Sequence, residues 1–270
     1  MSNQNPRCME LKVRKPAVAG MFYPSGKKAL QKTIHGYFDN LSHQQLEGEL
    51  KALIVPHAGY MYSGQVAAEG FALLQKWHTK RKSDQPVKII LIGPAHTVYL
   101  DGIATDGNTI WETPIGQVHT FSNGFTPNTG AHLNEHCLEV EVPFLQEVLD
   151  TFVLLPLLTG KIDTEIEVKQ ILPLLDEHTM LIISTDLSHF YNHQTATVRD
   201  HLTIDAIQNL DRTKLENKGD ACGKDPVLIL LSIAKQLGWS CHLLNYRNSG
   251  DVTGQLKSVV GYAAFAFYKS

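Results

Sequence analysis

Three apolar runs in this chain end in residues that bind metals or move protons: Leu53-Ile54-Val55-Pro56-His57, Ile89-Ile90-Leu91-Ile92-Gly93-Pro94-Ala95-His96, and Leu181-Ile182-Ile183-Ser184-Thr185-Asp186-Leu187-Ser188-His189. Each reads as a buried strand whose carboxyl end delivers an imidazole to an open edge, with Pro56 and Gly59 ending the first run. In open α/β sheets ligands settle outside the carboxyl ends of the strands, so His57, His96, Asp186 and His189 are expected to meet there. Two neutral imidazoles from different strands suit iron, zinc or copper, and a third donor would complete one face of the ion. Asp186, His189 and Cys222 are the candidates for that donor. Cys222 stands beside Gly223, just ahead of a helix whose amino-terminal dipole would favour a thiolate.

Other polar and aromatic groups have two readings. Glu135, His136 and Glu139 lie at an expected helix start, where the two glutamates, one turn apart, either orient a ligand histidine or contact a substrate, or simply complement the macrodipole. Phe22 and Tyr23, between Gly20 and Pro24, either line a cleft with Tyr60 or cap the core. Cys8 falls in a polar tail, and Cys137 and Cys241 read as small buried hydrophobes. His119, His132, His193 and His201 have no comparable context and read as surface residues.

The elements that must position these groups alternate. Helices are expected over Gly26 to Leu41, over Ser63 to Trp77 with Ser63 as N-cap, over Thr164 to Leu175 with a break at Pro173, and over Gln194 to Leu210. Another is expected from Glu135 to Leu149, capped by Asn134 and kinked or split at Pro143, and a last one over Val227 to Leu237, announced by Asp225 and Pro226. Strands are expected at Val87 to Ile92, Phe152 to Leu158, Met180 to Thr185, Ser240 to Arg247 and Ser258 to Tyr268. Apolar runs without alternation indicate a parallel sheet covered on both faces. The fold class is therefore α/β: a three-layer domain with a largely parallel central sheet flanked by helices. Residues 1–15 read as a flexible tail and 16–270 as one domain. Residues 99–130, rich in Gly, Thr, Asn and Pro, read as hairpins and loops over the sheet edge, placed to form a lid.

Composition narrows the function. With 270 residues, 43% hydrophobic and 19% charged, the chain has the make-up of a globular enzyme. No segment approaches the roughly 20 apolar residues that cross a bilayer. A formal charge of −3 and a pI near 6.5 give no basic footprint for nucleic acid, and the run Lys76 to Lys82 reads as a solvated helix end. Four cysteines without a CxxC pair, and an amino terminus lacking a signal-peptide core, point to a reducing cytoplasm.

The motifs Pro56-His57-Ala58-Gly59-Tyr60, Gly93-Pro94-Ala95-His96, Glu135-His136-Cys137-Leu138-Glu139, Ser184 to His189 and Cys222-Gly223-Lys224-Asp225-Pro226 occur in this order in the Memo family. The chain resembles that family from about Pro16 onward, including Ala19-Gly20-Met21-Phe22-Tyr23-Pro24 and the closing Gly261-Tyr262-Ala263-Ala264. The resemblance implies a fold similar to the class III extradiol dioxygenases, with His57, His96 and Cys222 as metal ligands and Asp186 and His189 beside them. The thiolate replaces the carboxylate of those dioxygenases, which favours copper or thiolate-bound iron, so ring cleavage does not follow from the fold. The resemblance also implies membership of the AmmeMemoRadiSam system, with a radical-SAM protein and an AMMECR1-like protein as partners. In animals the family is linked to phosphotyrosine peptides, for which no Arg cluster stands by these motifs.

The expected function is that of a non-haem iron or copper redox enzyme acting on a small-molecule substrate, with His189 as general acid or base and Asp186 orienting it. The alternatives are a non-catalytic metal- or peptide-binding interaction protein, and a zinc hydrolase.

Overall fold

A computed structural model describes residues 12–41 and 47–269; Cys8 and the tail through residue 11 lie outside them. Four strands carry the centre of the sheet: β2 (Glu49–Val55), β3 (Val87–Pro94), β7 (Phe152–Thr159) and β8 (Thr179–Ser184). They run parallel in the order β7-β3-β8-β2. On the β2 side, β11 (Val259–Lys269) and β10 (Ser240–Asn248) continue the sheet antiparallel. On the β7 side it continues through β6 (Gln117–Thr120), β5 (Ile110–Glu112) and β1 (Val13–Arg14). β4 (Ile103–Thr105) pairs with the end of β7, and β9 (His189–Tyr191) with the start of β11.

Strand periodicity sorts the core onto two faces. Leu53, Val55, Ile89, Leu91, Met180 and Ile182 pack on one side under the helices α1 (Lys27–Phe38) and α2 (Tyr60–Lys80). Ala52, Ile54, Ile90, Ile92, Leu181 and Ile183 pack on the other. The short helix α3 (Thr129–Leu133) and α4 (Val142–Val148) belong to the first layer. The second is built by α5 (Thr164–Ile171), α6 (His193–Gln208), α7 (Arg212–Lys218) and α8 (Lys224–Leu237). A one-turn helix, α9 (Ser249–Thr253), joins β10 to β11. Among the described residues no helix is long and apolar enough to cross a membrane.

The three-layer expectation holds, and several local expectations do not. α2 starts at Tyr60 with Gly59 as its N-cap, and Ser63 lies inside it, donating to the Ala58 carbonyl. Residues 135–149 are not one helix. Asn134 closes α3, which Asn128 caps, and a 3-10 turn at Glu139–Glu141 leads into α4, where Pro143 occupies the first turn. The pattern is thus split rather than kinked, and a proline in the first turn sacrifices no hydrogen bond. Lys224, not Val227, opens α8, with Gly223 as N-cap, so Asp225 and Pro226 sit within its first turn. The segment expected as a lid instead widens the sheet, because β6 pairs with β7 and β4 closes against its end.

Residues 13 and 14, expected in a mobile tail, are a strand, and Arg14 is 2% exposed. Its guanidinium donates to the carbonyls of His132 and Glu135 and to the Glu139 carboxylate, and lies over the Trp111 ring. A buried charge without such partners would be untenable, and Glu139 gains further donors from Ala17 N, Val18 N and the Tyr23 hydroxyl.

His132, expected at the surface, is fully buried against Trp111 and its ring bonds the Ala104 carbonyl. Burial pushes its pKa down to about 4, with Asp106 and the Ala104 carbonyl offsetting only part of the effect. An imidazole that resists protonation in the folded chain contributes its full stability above its unfolded pKa near 6.5. That contribution is lost as pH falls from there towards 4. Measured against His132→Gln by urea unfolding, the native chain should lose on the order of 3 kcal/mol between about pH 7 and pH 4. A stability gap that does not change with pH would contradict this.

Candidate metal centre

β2 ends beside β8 with Val55 paired to Ser184, and Pro56 then turns the chain so that His57 is 2% exposed at the sheet edge. The His57 amide donates to Asp186 Oδ1 at 2.8 Å, and its Nδ1 lies 2.9 Å from Ser184 Oγ. His96 follows β3 by two residues. Its amide donates to Glu135 Oε2 at 2.6 Å, and its Nδ1 lies 3.0 Å from Glu135 Oε1. A carboxylate only accepts, so His96 carries its proton on Nδ1 and leaves Nε2 with a free lone pair.

Cys222 reaches the same edge from the opposite layer. Its Sγ lies 3.3 Å from His57 Nε2 and accepts from the Asp186 amide at 3.2 Å. Thr185 anchors the turn by accepting from the Gly223 amide at 2.8 Å. A Cβ on residue 223 would sit 2.8 Å from Thr185 Cβ, so only glycine lets the cysteine turn approach β8 this closely.

One donor atom each from His57, His96 and Cys222 therefore lies within 4.8 Å of the others. Two imidazoles with engaged Nδ1 atoms and one sulfur form a donor set that fits a borderline or soft transition-metal ion. His96, Glu135 and Cys137 are similarly close. Glu135 already accepts from the amides of His96, His136 and Cys137, and the Cys137 thiol donates to the Pro94 carbonyl, so this second trio is a hydrogen-bonded brace.

The electrostatics follow from burial. His57 is held well below the usual imidazole range by desolvation, then by His96 and His136. Burial pushes the Cys222 thiol up to about 12, with Asp186 adding to it, so the helix start does not yield a free thiolate; a bound cation would supply the missing charge. Burial raises Asp186 to about 7 despite hydrogen bonds from the His57 and Ala58 amides. Burial acts on Glu135 in the same sense, but donors from His136 and His96 outweigh it and hold the carboxylate well below its usual range.

The remaining expected residues divide. Asp186 fixes the turn that carries His57, and its hydrogen bonds go there rather than to His189. His189 is half-buried, bonds the Leu187 carbonyl, and is lowered by burial. The next residue, Phe190, takes φ +65° and is 78% exposed, a strained conformation for an aromatic. His136 lies 4.8 Å from the His96 ring and 4.7 Å from Phe22, which together make a wall beside the donors. Tyr23 and Tyr60 are buried, with hydroxyls given to Glu139 and the Val140 carbonyl, so they support the site from behind. The Glu139 carboxylate pairs with Arg14, whereas that of Glu135 serves His96 and His136. Ser184, Thr185, Glu141 and Arg14 were not singled out from sequence. The first two stand inside the strand-end run ahead of Asp186, where their alternation across the strand was the available signal.

Comparison with known proteins agrees over nearly the whole chain. A family model described as Memo-like protein matches residues 14–266. A "MEMO1 family protein" of Methanococcoides burtonii is 37% identical, covering 93% of this chain and 98% of that one. Counterparts in Methanobrevibacter smithii and Aquifex aeolicus are 32% and 33% identical, over 94% and 95% of this chain and 99% and 100% of theirs.

The brace makes Glu135 sensitive to an isosteric change. Glu135→Gln removes the charge and turns an NH2 group towards amide donors, which should cost about 3 kcal/mol. Urea unfolding should show a lower midpoint at unchanged slope; an unchanged midpoint would contradict the brace.

Proposed function

The chain belongs to the Memo family, and on that footing we propose that it is a metal-dependent redox enzyme that holds iron, or alternatively copper, at His57, His96 and Cys222. The observation that carries this reading is the convergence of those three donor atoms within 4.8 Å, with the Nδ1 atoms of both imidazoles already engaged. When bound, the ion would supply Lewis acidity and redox chemistry. Asp186 holds the His57 turn through amide hydrogen bonds. His189, with one ring nitrogen engaged by Leu187, offers the other to take or deliver a substrate proton. Phe22 and His136 present an aromatic wall to the substrate, a small molecule or a peptide. A radical-SAM protein and an AMMECR1-like protein are the partners in this reading, and the cytoplasm its compartment.

A second reading has its own support. Met21, Met61, Tyr99 and Phe190, each within a few residues of a site residue, are exposed apolar side chains. Such groups suit a protein or peptide docked over the centre, as in a non-catalytic interaction protein on a dioxygenase-like scaffold.

Elemental analysis of freshly purified protein, followed by anaerobic reconstitution, tests the centre. We expect about one metal ion per chain and at least a 10-fold loss of affinity in His57→Ala, His96→Ala and Cys222→Ser. Oxygen uptake with catechols and thiols then tests turnover. No uptake above the metal-free protein would sink the redox reading, while zinc alone with esterase or amidase turnover would replace it with hydrolysis.

A further inference from the structure

Behind His57 lies a hydroxyl with more partners than protons. Ser184 Oγ is 2.7 Å from the Cys137 carbonyl, 2.9 Å from His57 Nδ1 and 3.0 Å from Glu141 Oε1. A serine supplies one O–H donor and two acceptor lone pairs. The Cys137 carbonyl can only accept, and it makes the shortest contact, so it takes the single hydroxyl proton. The other two neighbours must then donate. For His57 this means a proton on Nδ1 and a free lone pair on Nε2, which faces Cys222 at 3.3 Å. For Glu141 it means that the carboxyl group itself carries a proton.

We propose that Glu141 is a neutral carboxylic acid that donates to Ser184 and, through it, fixes the ring orientation and tautomer of His57. Glu141 thereby acts as a positioning residue for the centre. Its surroundings favour the neutral form independently of the proton count. The side chain is buried at the turn into α4, where desolvation raises its pKa well above the usual carboxylate range; the Ser184 contact offsets part of this, and the neighbouring Asp186 carboxylate adds to it. The acid thus places no buried negative charge behind the imidazole, and the three hydrogen bonds at Ser184 Oγ are all satisfied. No cationic side chain pairs with Glu141 among the described residues, so no ion pair holds it as a carboxylate.

The consequence for metal binding rests on the reading of His57 as a ligand; the protonation state does not, so the two are tested separately. Infrared difference spectroscopy of the metal-free protein near neutral pH, native minus Glu141→Gln, should show the carbonyl stretch of a protonated carboxylic acid. A carboxylate signature in its place overturns the proposal. Ferrous iron affinity is then measured anaerobically by chelator competition. Gln donates to Ser184 as the acid does, so Glu141→Gln should bind within about threefold of the native chain. Glu141→Leu, which leaves Ser184 without that donor, should lose about 10-fold or more. A Gln variant as impaired as the Leu variant would show that a charge at Glu141 is required and would overturn the proposal. If the native chain itself binds no iron, the metal reading falls, while the infrared result still decides the state of Glu141.

Discussion

The parallel register of β8 between β3 and β2 is the constraint on which this centre depends. Ile182 pairs with Leu53 and Leu91, and Ser184 with Val55, so Ser184 must point into the layer that contains α2 and Thr185 into the layer that contains α8. Ser184 there holds the His57 ring, and Thr185 holds the turn that bears Cys222. A slip of one residue would exchange the two side chains between faces and detach both donors. Register is strongly specified because β8 is buried along its whole length, with apolar partners on both sides.

Within that frame the site is held by backbone amides as much as by side chains. Asp186 and Glu135 each accept amide hydrogens from the turns that follow β2 and β3, and so convert two strand ends into fixed mounts for imidazoles. Burial raises both carboxylates, and the donors around each decide where it ends. Glu135 collects enough donors to stay ionised, whereas Asp186, with fewer, is raised to about 7. Charge is thereby concentrated behind His96 and kept low behind His57.

The apolar runs located β2, β3, β7 and β8 in the sequence, and the residues just past three of them assembled as their positions implied, because strand ends in a parallel sheet share one edge. Helical spacing between Glu135 and Glu139 was misleading. The intervening chain is a turn held by amide contacts to Glu135, so the two carboxylates part company, one to His96 and the other to Arg14. Long-range pairing was invisible for the same reason. Nothing local to Arg14 marks it as the counter-ion of a residue 125 positions away. His132 carries no pattern at all, since a buried imidazole and an exposed one have the same neighbours in sequence when the covering Trp111 comes from β5 and not from its own helix. The glycine- and threonine-rich stretch from 99 to 130 reads as hairpins and loops, and its short strands are there, but at three or four residues each they carry no periodicity that would join them to the main sheet.

The strained backbone at Phe190 has a bearing on motion. β9 is three residues long and is held to β11 by the register at Val259 and Val260. Releasing it would return about 1–3 kcal/mol of conformational energy from the αL residue, which lowers the free energy of local opening there relative to an unstrained strand. His57 and His96, by contrast, follow strands paired on both sides across the sheet. The centre is thus divided into a half whose amides exchange only with deep unfolding and a half, bearing His189, that exchanges through a shallow local excursion. On the proposed reading, proton transfer at His189 would fall to the pliant side and retention of an ion to the rigid one.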